Sequence, residues 1–149
     1  MKVGSLTNLS YRQDGKYRFE LTAPFRIIVP DWAGRIPIGL RTFKDQDDTI
    51  RAVLHANGEF SIRSGYAWDG CSPALKLGRW WMGTPTPPET RAACLVHDAL
   101  YQFLDDAPWS RAEADAIFLA LMKSGGFALA PVYYGAVRTL GGLHHFIFR

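Results

Sequence analysis

The sequence lacks several features that would place it in familiar protein classes. It has two cysteines in 149 residues, too few for a disulfide scaffold or for a zinc site built from cysteines. No apolar run approaches the roughly 20 residues that span a bilayer, and the first residues lack the apolar segment of a signal peptide. Cys71 and Cys94 are therefore expected to be buried thiols in a soluble protein made in the cytoplasm.

The sequence also lacks a basic tail or a basic helix. Its 17 basic and 14 acidic residues give a net charge of +3, and the excess is spread evenly along the chain. Nothing here indicates a nucleic-acid partner, whereas a mildly basic surface would assist contact with an anionic membrane face. Hydrophobic residues make up 48% and aromatic residues 13%, which excludes a disordered chain. The length predicts a single domain over residues 1–149.

Residues 1–70 have the pattern of strands and tight turns. A turn at Gln13-Asp14-Gly15 separates residues 6–12 from 16–22, and Asn57-Gly58 separates residues 49–55 from 59–64. Both predict β-hairpins. Between them, residues 25–30 form a β-branched run closed by proline. Phe60 and Ile62 alternate with polar residues, as in a sheet with one solvated face. We therefore predict an N-terminal antiparallel sheet.

Helices are predicted in residues 84–142. Thr86-Pro87-Pro88-Glu89 is typical of a capping box and predicts a helix that runs to about Leu104. Ser110-Arg111-Ala112-Glu113 is a second capping box, and its helix is expected to stop at Gly125-Gly126.

Pro131 predicts the start of a third helix, which Gly141-Gly142 is expected to end. Residues 143–149 would then return as a strand or a packed tail. The predicted fold class is α+β, with an N-terminal antiparallel sheet followed by a C-terminal cluster of about three helices.

The first two helices carry a group of chemically active side chains. Helical spacing places Cys94, His97 and Tyr101 on one face, and Asp98 about 100° around the helix. Asp115 lies at the edge of the second helix's apolar stripe, where an unpaired carboxylate would be costly. Its obvious partners are His97 and Tyr101, which would make Asp115 the orienting half of a general-base dyad. The alternative is a structural anchor between two helices, with Asp98 as a solvated surface charge.

The loop over residues 65–73 is the second candidate region. Its glycines allow backbone carbonyls to turn toward a ligand, and Ca²⁺ binds carbonyls together with a carboxylate, here Asp98 or Asp69. The alternative is a crossing between sheet and helices, with Trp68 in the core and Asp69 closing a turn. The candidate ligand-binding residues of the loop are Gly65, Trp68, Gly70 and Ser72.

Adjacent tryptophans follow the loop. Trp80 and Trp81 lie beside Lys76 and Arg79, a composition suited to a lipid interface or to a protein partner. The alternative is a hairpin or loop whose tryptophan rings pack inward. His144-His145 has no third ligand at a readable spacing, so a metal site is not expected there.

The ordered motifs resemble a phage and prophage family known only as domain of unknown function 1353. The matching residues are Gly65, Asp69, Ser72 and Pro73; His97-Asp98-Ala99-Leu100-Tyr101; Ala114-Asp115-Ala116-Ile117-Phe118; and Val137, Arg138 and Gly141. This resemblance implies a phage origin, synthesis in the host cytoplasm and possible packaging in a virion. It implies no particular chemistry.

A second, local resemblance is to phospholipase A2. Those enzymes carry His-Asp-x-x-Tyr on one helix and an Asp on a second helix. The resemblance implies that His97 is the general base, Asp98 a calcium ligand, and Tyr101 a donor to Asp115, which orients the histidine. Viral capsid members of that group also show Ala-Asp-x-x-Phe.

Secreted phospholipases also bond a cysteine three residues before the histidine to a cysteine of the calcium loop, and Cys94 and Cys71 stand in comparable places. The glycine-dense calcium loop and the remaining cysteines are absent here, and a β-rich N-terminal half is foreign to that fold.

Two functional hypotheses follow. The first is a calcium-dependent, phospholipase A2-like acyl-ester hydrolase that acts on host envelope lipids, with His97 as base and Trp80-Trp81 at the membrane. The second is a non-catalytic virion protein of the tail or baseplate, or a host-interaction protein, in which the same polar side chains form a clamp. A cleft at His97 would favour the first hypothesis, and a sealed ring the second.

Overall fold

Antiparallel strands occupy the first half of the chain and helices the second. The computed structural model describes residues 1–14, 18–68, 75–77, 80–82 and 88–147. The strands are β1 (Gly4–Ser5), β2 (Tyr11–Asp14), β3 (Arg18–Leu21), β4 (Phe25–Ile28), β5 (Leu40–Lys44), β6 (Ile50–His55), β7 (Glu59–Ile62), β8 (Ala67–Trp68), β9 (Leu75–Leu77) and β10 (Trp80–Met82). The helices are α1 (Arg91–Gln102), α2 (Arg111–Ser124) and α3 (Ala130–Ile147). The fold is α+β, as predicted.

The strands pair into a larger sheet and two smaller ones. The five-stranded sheet has the order β1-β4-β7-β6-β5, a second sheet has the order β2-β3-β8, and β9 pairs with β10. Both predicted hairpins are confirmed, since β2 pairs with β3 and β6 with β7 in antiparallel register. The first turn lies later than predicted, because Gln13 and Asp14 belong to β2 and pair with β3. The turn residues 15–17 lie outside the described part of the chain.

The sequence pattern missed β5. This strand lies at the sheet edge and exposes all its residues except Phe43, so apolar alternation is weak there. In β7, by contrast, Phe60 and Ile62 are fully buried while Ser61 between them is not. Side-chain alternation is therefore readable in the central strands, which have a buried face, and faint at the edge.

The start of α2 agrees with its sequence signal, and that of α1 does not. At α2 the Ser110 hydroxyl accepts from the Glu113 backbone N–H, and the Glu113 carboxylate accepts from the Ser110 N–H, so the capping box is confirmed. The predicted cap of α1 at Thr86 lies outside the described residues. The described helical segment opens with a 3₁₀ turn over Pro88–Thr90, and α1 itself begins later than expected, at Arg91. A 3₁₀ turn often precedes an α-helix.

The predicted end of the third helix was also wrong. Pro131 does lie in the first turn of α3, where its missing N–H costs nothing. The helix then continues through Gly141-Gly142 to Ile147, in place of the expected strand or tail. A glycine lowers helix stability by about 1 kcal/mol but retains its N–H, so it weakens a helix without ending it.

An aromatic cluster joins the five-stranded sheet to the helices. Trp32 follows β4 and stacks on Trp109, which precedes α2, with ring centroids 4.9 Å apart. Phe43 and Phe60 pack against the same Trp109 ring at 5.1 and 5.3 Å. The Trp109 indole N–H donates to the Leu100 carbonyl in α1. One hydrophobic core therefore contains residues from both halves of the chain.

Within the described ranges, no helix combines the length and the apolar character required for a membrane span.

Gly58 is a position at which the hairpin turn requires glycine. Its φ of +88° is in the left-handed region, and an added Cβ would lie 2.4 Å from the Val29 carbonyl oxygen. Gly34 has a similar φ of +80° but no atom within 4 Å of its added Cβ. We expect Gly34→Ala to lower the free energy of unfolding by about 1 kcal/mol, and Gly58→Ala to cost about 2 kcal/mol more through steric overlap. Urea unfolding of both variants would measure this, and equal losses would contradict the close approach.

Candidate active site

The Asp115 carboxylate is the centre of the candidate site. It is fully buried in α2 and accepts hydrogen bonds from two other helices. Its Oδ1 lies 2.8 Å from His97 Nε2 and 2.5 Å from the Tyr101 hydroxyl, both in α1. Its Oδ2 accepts from Arg138 Nη1 of α3 at 3.0 Å. Three helices therefore meet at one buried charge.

The His97 imidazole packs against two aromatic rings. Its ring centroid lies 4.2 Å from that of Tyr101 and 4.6 Å from that of Phe118, and the residue is 6% exposed. An ionised carboxylate only accepts hydrogen bonds, so the proton in the His97–Asp115 bond belongs to Nε2. Nδ1 has no hydrogen-bond partner among the residues that the structure describes, and in the neutral ring it carries the lone pair.

The electrostatics of the group keep Asp115 ionised. Burial on its own would raise the pKa of Asp115, but the hydrogen bonds from His97, Tyr101 and Arg138 outweigh it and hold the pKa below its ordinary value of 3.8. Burial and the hydrogen bond to Asp115 raise the pKa of the Tyr101 phenol above its ordinary value of 10.0. Tyr101 therefore remains a donor at neutral pH.

Asp98 lies on a different side of α1 from His97, as its spacing predicts. It is half-buried and close enough to Tyr66 to influence it. Burial, and then the charge of Asp98, raise the pKa of the Tyr66 phenol. The Tyr66 hydroxyl donates to Gln102 Oε1 at 2.9 Å. Asp98 thus lies close enough to the start of the candidate loop to act on Tyr66.

The candidate loop is described only at its start. Gly65 has a φ of +87°, as expected for a glycine that turns the chain, but its carbonyl lies 3.4 Å from Arg51 Nη1 and accepts from it. Trp68 is buried, with its ring 5.3 Å from Phe19, and is part of the core. Asp69, Gly70 and Ser72 lie outside the described residues. Trp80 and Trp81 belong to β10.

Cys94 is not the free thiol that the cysteine count predicted, whereas the phospholipase resemblance places it at the position of a bonded cysteine. It is buried in α1 and disulfide-bonded. Cys71, the other cysteine of the sequence, lies outside the described residues. Helix spacing alone could not reveal this bond, because a disulfide depends on the approach of two residues that are distant in sequence.

The described residues do not by themselves complete a calcium site. Among them, no group of three or more His, Cys, Asp or Glu side chains is placed to hold a metal ion. Asp98 is the carboxylate that the phospholipase resemblance assigns to calcium, and Asp69, the other candidate ligand, is outside the described ranges.

Sequence reasoning missed Arg138 as a member of the site. Its guanidinium is the third donor to Asp115 and comes from α3, about two dozen residues away in sequence. The only sequence signal was the Val137-Arg138 motif shared with the family that the chain resembles, which says nothing about a partner. Spacing within one helix cannot identify a contact between two helices.

Comparison with models of protein families identifies the family of this chain. The family model described as "Protein of unknown function (DUF1353)" matches residues 47–137, more than half of the chain, and this range includes His97, Asp115 and Arg138. No curated protein matches the sequence, and no solved structure matches it.

Asp115 should make the free energy of unfolding depend on pH in the acidic range. Because its folded pKa lies below 3.8, its ionisation stabilises the fold above that pH, and this contribution is lost as the pH falls through 3.8 toward the folded pKa. We expect Asp115→Asn to lower the free energy of unfolding by about 3 kcal/mol at pH 7. The difference in free energy of unfolding between this variant and wild type should become smaller below pH 3.8. Urea unfolding across pH would measure both.

The matched control for this prediction is Asp106→Asn, which changes an exposed carboxylate. We expect it to alter the free energy of unfolding by less than about 0.5 kcal/mol. If Asp115→Asn lowers the free energy of unfolding no more than Asp106→Asn does, the assignment of Asp115 as a buried, ionised carboxylate is contradicted.

Proposed function

The chain belongs to the DUF1353 family of proteins of unknown function, and from its own side chains we propose that it is an acyl-ester hydrolase with His97 as general base. The observation that carries the proposal is the hydrogen bond from His97 Nε2 to the ionised Asp115. It leaves the lone pair of Nδ1 without a partner in the described part of the chain. A histidine oriented by a carboxylate in this way is suited to accept a proton from water.

The chemistry needs one proton transfer in each direction. His97 Nδ1 takes a proton from a water molecule while the oxygen of that water attacks the ester carbonyl carbon. The tetrahedral intermediate then collapses, and the same proton passes from the imidazolium to the leaving alkoxide. Asp115 stays ionised throughout and stabilises the imidazolium. Tyr101 and Arg138 hold the carboxylate in place.

Phospholipids are the proposed substrate class. The support is the order of roles in His97, Asp98, Tyr101 and Asp115, which is that of the phospholipase A2 helix pair, together with the Trp80-Trp81 segment as a membrane contact. When bound, Ca²⁺ would supply charge stabilisation for a lipid phosphate and an oxyanion, with Asp98 and Asp69 as its candidate ligands. The proposed setting is a phage that uses the activity for envelope passage or lysis, with synthesis in the host cytoplasm and possible incorporation in the virion.

A second candidate function rests on burial. His97 is 6% exposed and Asp115 fully buried, as in a polar clamp that locks helices together without catalysis. In that case the protein would be a virion tail or baseplate component, or a host-interaction factor. The same hydrogen bonds serve either function, so the difference lies in whether Nδ1 receives a water molecule and a substrate.

Release of fatty acid from mixed phospholipid vesicles tests the hydrolase. Wild type is compared with His97→Gln, and His55→Gln is the matched control because it removes a histidine from β6, away from the site. Each protein is assayed with calcium and with EDTA. We expect release by wild type and His55→Gln with calcium, and a loss of at least about 100-fold in His97→Gln, since general-base catalysis contributes about that much.

The calcium and EDTA conditions of the assay separate the role of calcium from that of the general base. Release that persists unchanged in EDTA would remove calcium from the proposal while retaining the base. No release by folded wild type under either condition would overturn the hydrolase on these lipids and favour the clamp. Circular dichroism and thermal melting of all three proteins show whether they are folded.

A further inference from the structure

The two oxygens of Asp115 have different partners. Oδ1 is occupied by His97 and Tyr101, both from α1. Oδ2 accepts from Arg138, and in the described residues that guanidinium is its only hydrogen-bond donor. The carboxylate has no exposed surface, so no water can replace a missing donor without a rearrangement. Arg138 is therefore the group that satisfies the second oxygen and balances the buried charge.

Removal of Arg138 would change which atoms of Asp115 and His97 carry protons. A buried carboxylate with one oxygen unpaired and no cation beside it is strongly disfavoured. At a pH at which the imidazole stays neutral, the remaining response is for the carboxyl to take up a proton. A protonated carboxyl facing His97 donates to Nε2, and the neutral imidazole must then carry its own proton on Nδ1. The lone pair of the neutral ring would then be on Nε2, which faces Asp115, and no longer on Nδ1.

We infer that Arg138 is a positioning residue of this site, which fixes the tautomer of His97 by keeping Asp115 ionised and oriented. The catalytic consequence rests on the proposed hydrolase function, because a base at Nδ1 needs the proton on Nε2. The tautomer itself does not depend on that function, and it can be measured in the free protein.

The surroundings of Arg138 support this role. Its backbone carbonyl accepts from Arg111 Nη2 at 3.2 Å, which ties α3 to α2 beside the carboxylate. Its side chain is 36% exposed, so the guanidinium keeps contact with water at one side while it bonds Asp115 at the other. Tyr134 of the same helix and Tyr101 of α1 also lie near it. Arg111 is a second cation close to Tyr101, but its guanidinium donates to the Arg138 carbonyl and makes no hydrogen bond to Asp115 in the described part of the chain.

Nitrogen NMR of the histidine rings tests the inference directly. Protein labelled with ¹⁵N-histidine is examined by long-range proton–nitrogen correlation at a pH at which the ring is neutral. The His97 signals are identified by their loss in His97→Gln. Wild type is compared with Arg138→Met, with Arg138→Lys, which keeps the charge, and with Arg111→Met, which removes a guanidinium from the same helix interface without touching Asp115.

The inference predicts a specific pattern. His97 should carry its proton on Nε2 in wild type, Arg138→Lys and Arg111→Met, and on Nδ1 in Arg138→Met. An Nε2 proton in folded Arg138→Met would overturn the inference. If Arg138→Met does not fold, the wild-type and lysine spectra decide: an Nδ1 proton in either one overturns the inference, and an Nε2 proton in both supports it.

The vesicle assay on the same proteins distinguishes this inference from the proposed function. If wild type hydrolyses lipid, Arg138→Met should lower kcat by about tenfold to a hundredfold with KM little changed, and Arg138→Lys should recover most of the rate. The expected tautomer pattern without any hydrolysis would retain the positioning role and reject the hydrolase. Hydrolysis with an unchanged tautomer in Arg138→Met would retain the hydrolase and reject the positioning role.

Discussion

The charge of Asp115 has been taken fully out of water, and the helical half of the protein is arranged around it. A buried carboxylate is tolerated only when donors occupy both oxygens. Here His97 and Tyr101 of α1 and Arg138 of α3 supply them. A shift of any one helix would leave a buried charge unpaired, so the packing of all three helices is coupled to the ionisation of one side chain.

The same constraint gives the site its chemical asymmetry. Because Asp115 is an ionised acceptor, the imidazole presents Nε2–H toward it and the lone pair of Nδ1 away from it. A clamp that only joined helices would need the inner bond alone. The hydrolase proposal depends on the outer nitrogen, and this is why the two candidate functions share every observed hydrogen bond and differ in what reaches Nδ1.

Aromatic side chains from the strand half of the chain contact the first residues of α1 and the residue that precedes α2. The Arg91 guanidinium at the start of α1 lies 5.3 Å from the ring centroids of both Tyr11 and Phe19, and Phe19 packs on Trp68. Trp32 and Trp109 make the corresponding contact at the start of α2. Aromatic side chains of this kind bury a large area, so the helices that carry His97 and Asp115 are packed against the strand half at their first residues.

Local sequence patterns determined much of this protein: the two hairpins, the start of α2, and the shared face of His97 and Tyr101 with Asp115 opposite. Each depends on turn chemistry or on helical spacing, which act over a few residues. Tertiary structure alone decided the edge strand β5, the passage of α3 through Gly141-Gly142, and the contact of Arg138 with Asp115. These depend on which distant segments pack together, and the energy of a buried charge is set by all the helices that surround it.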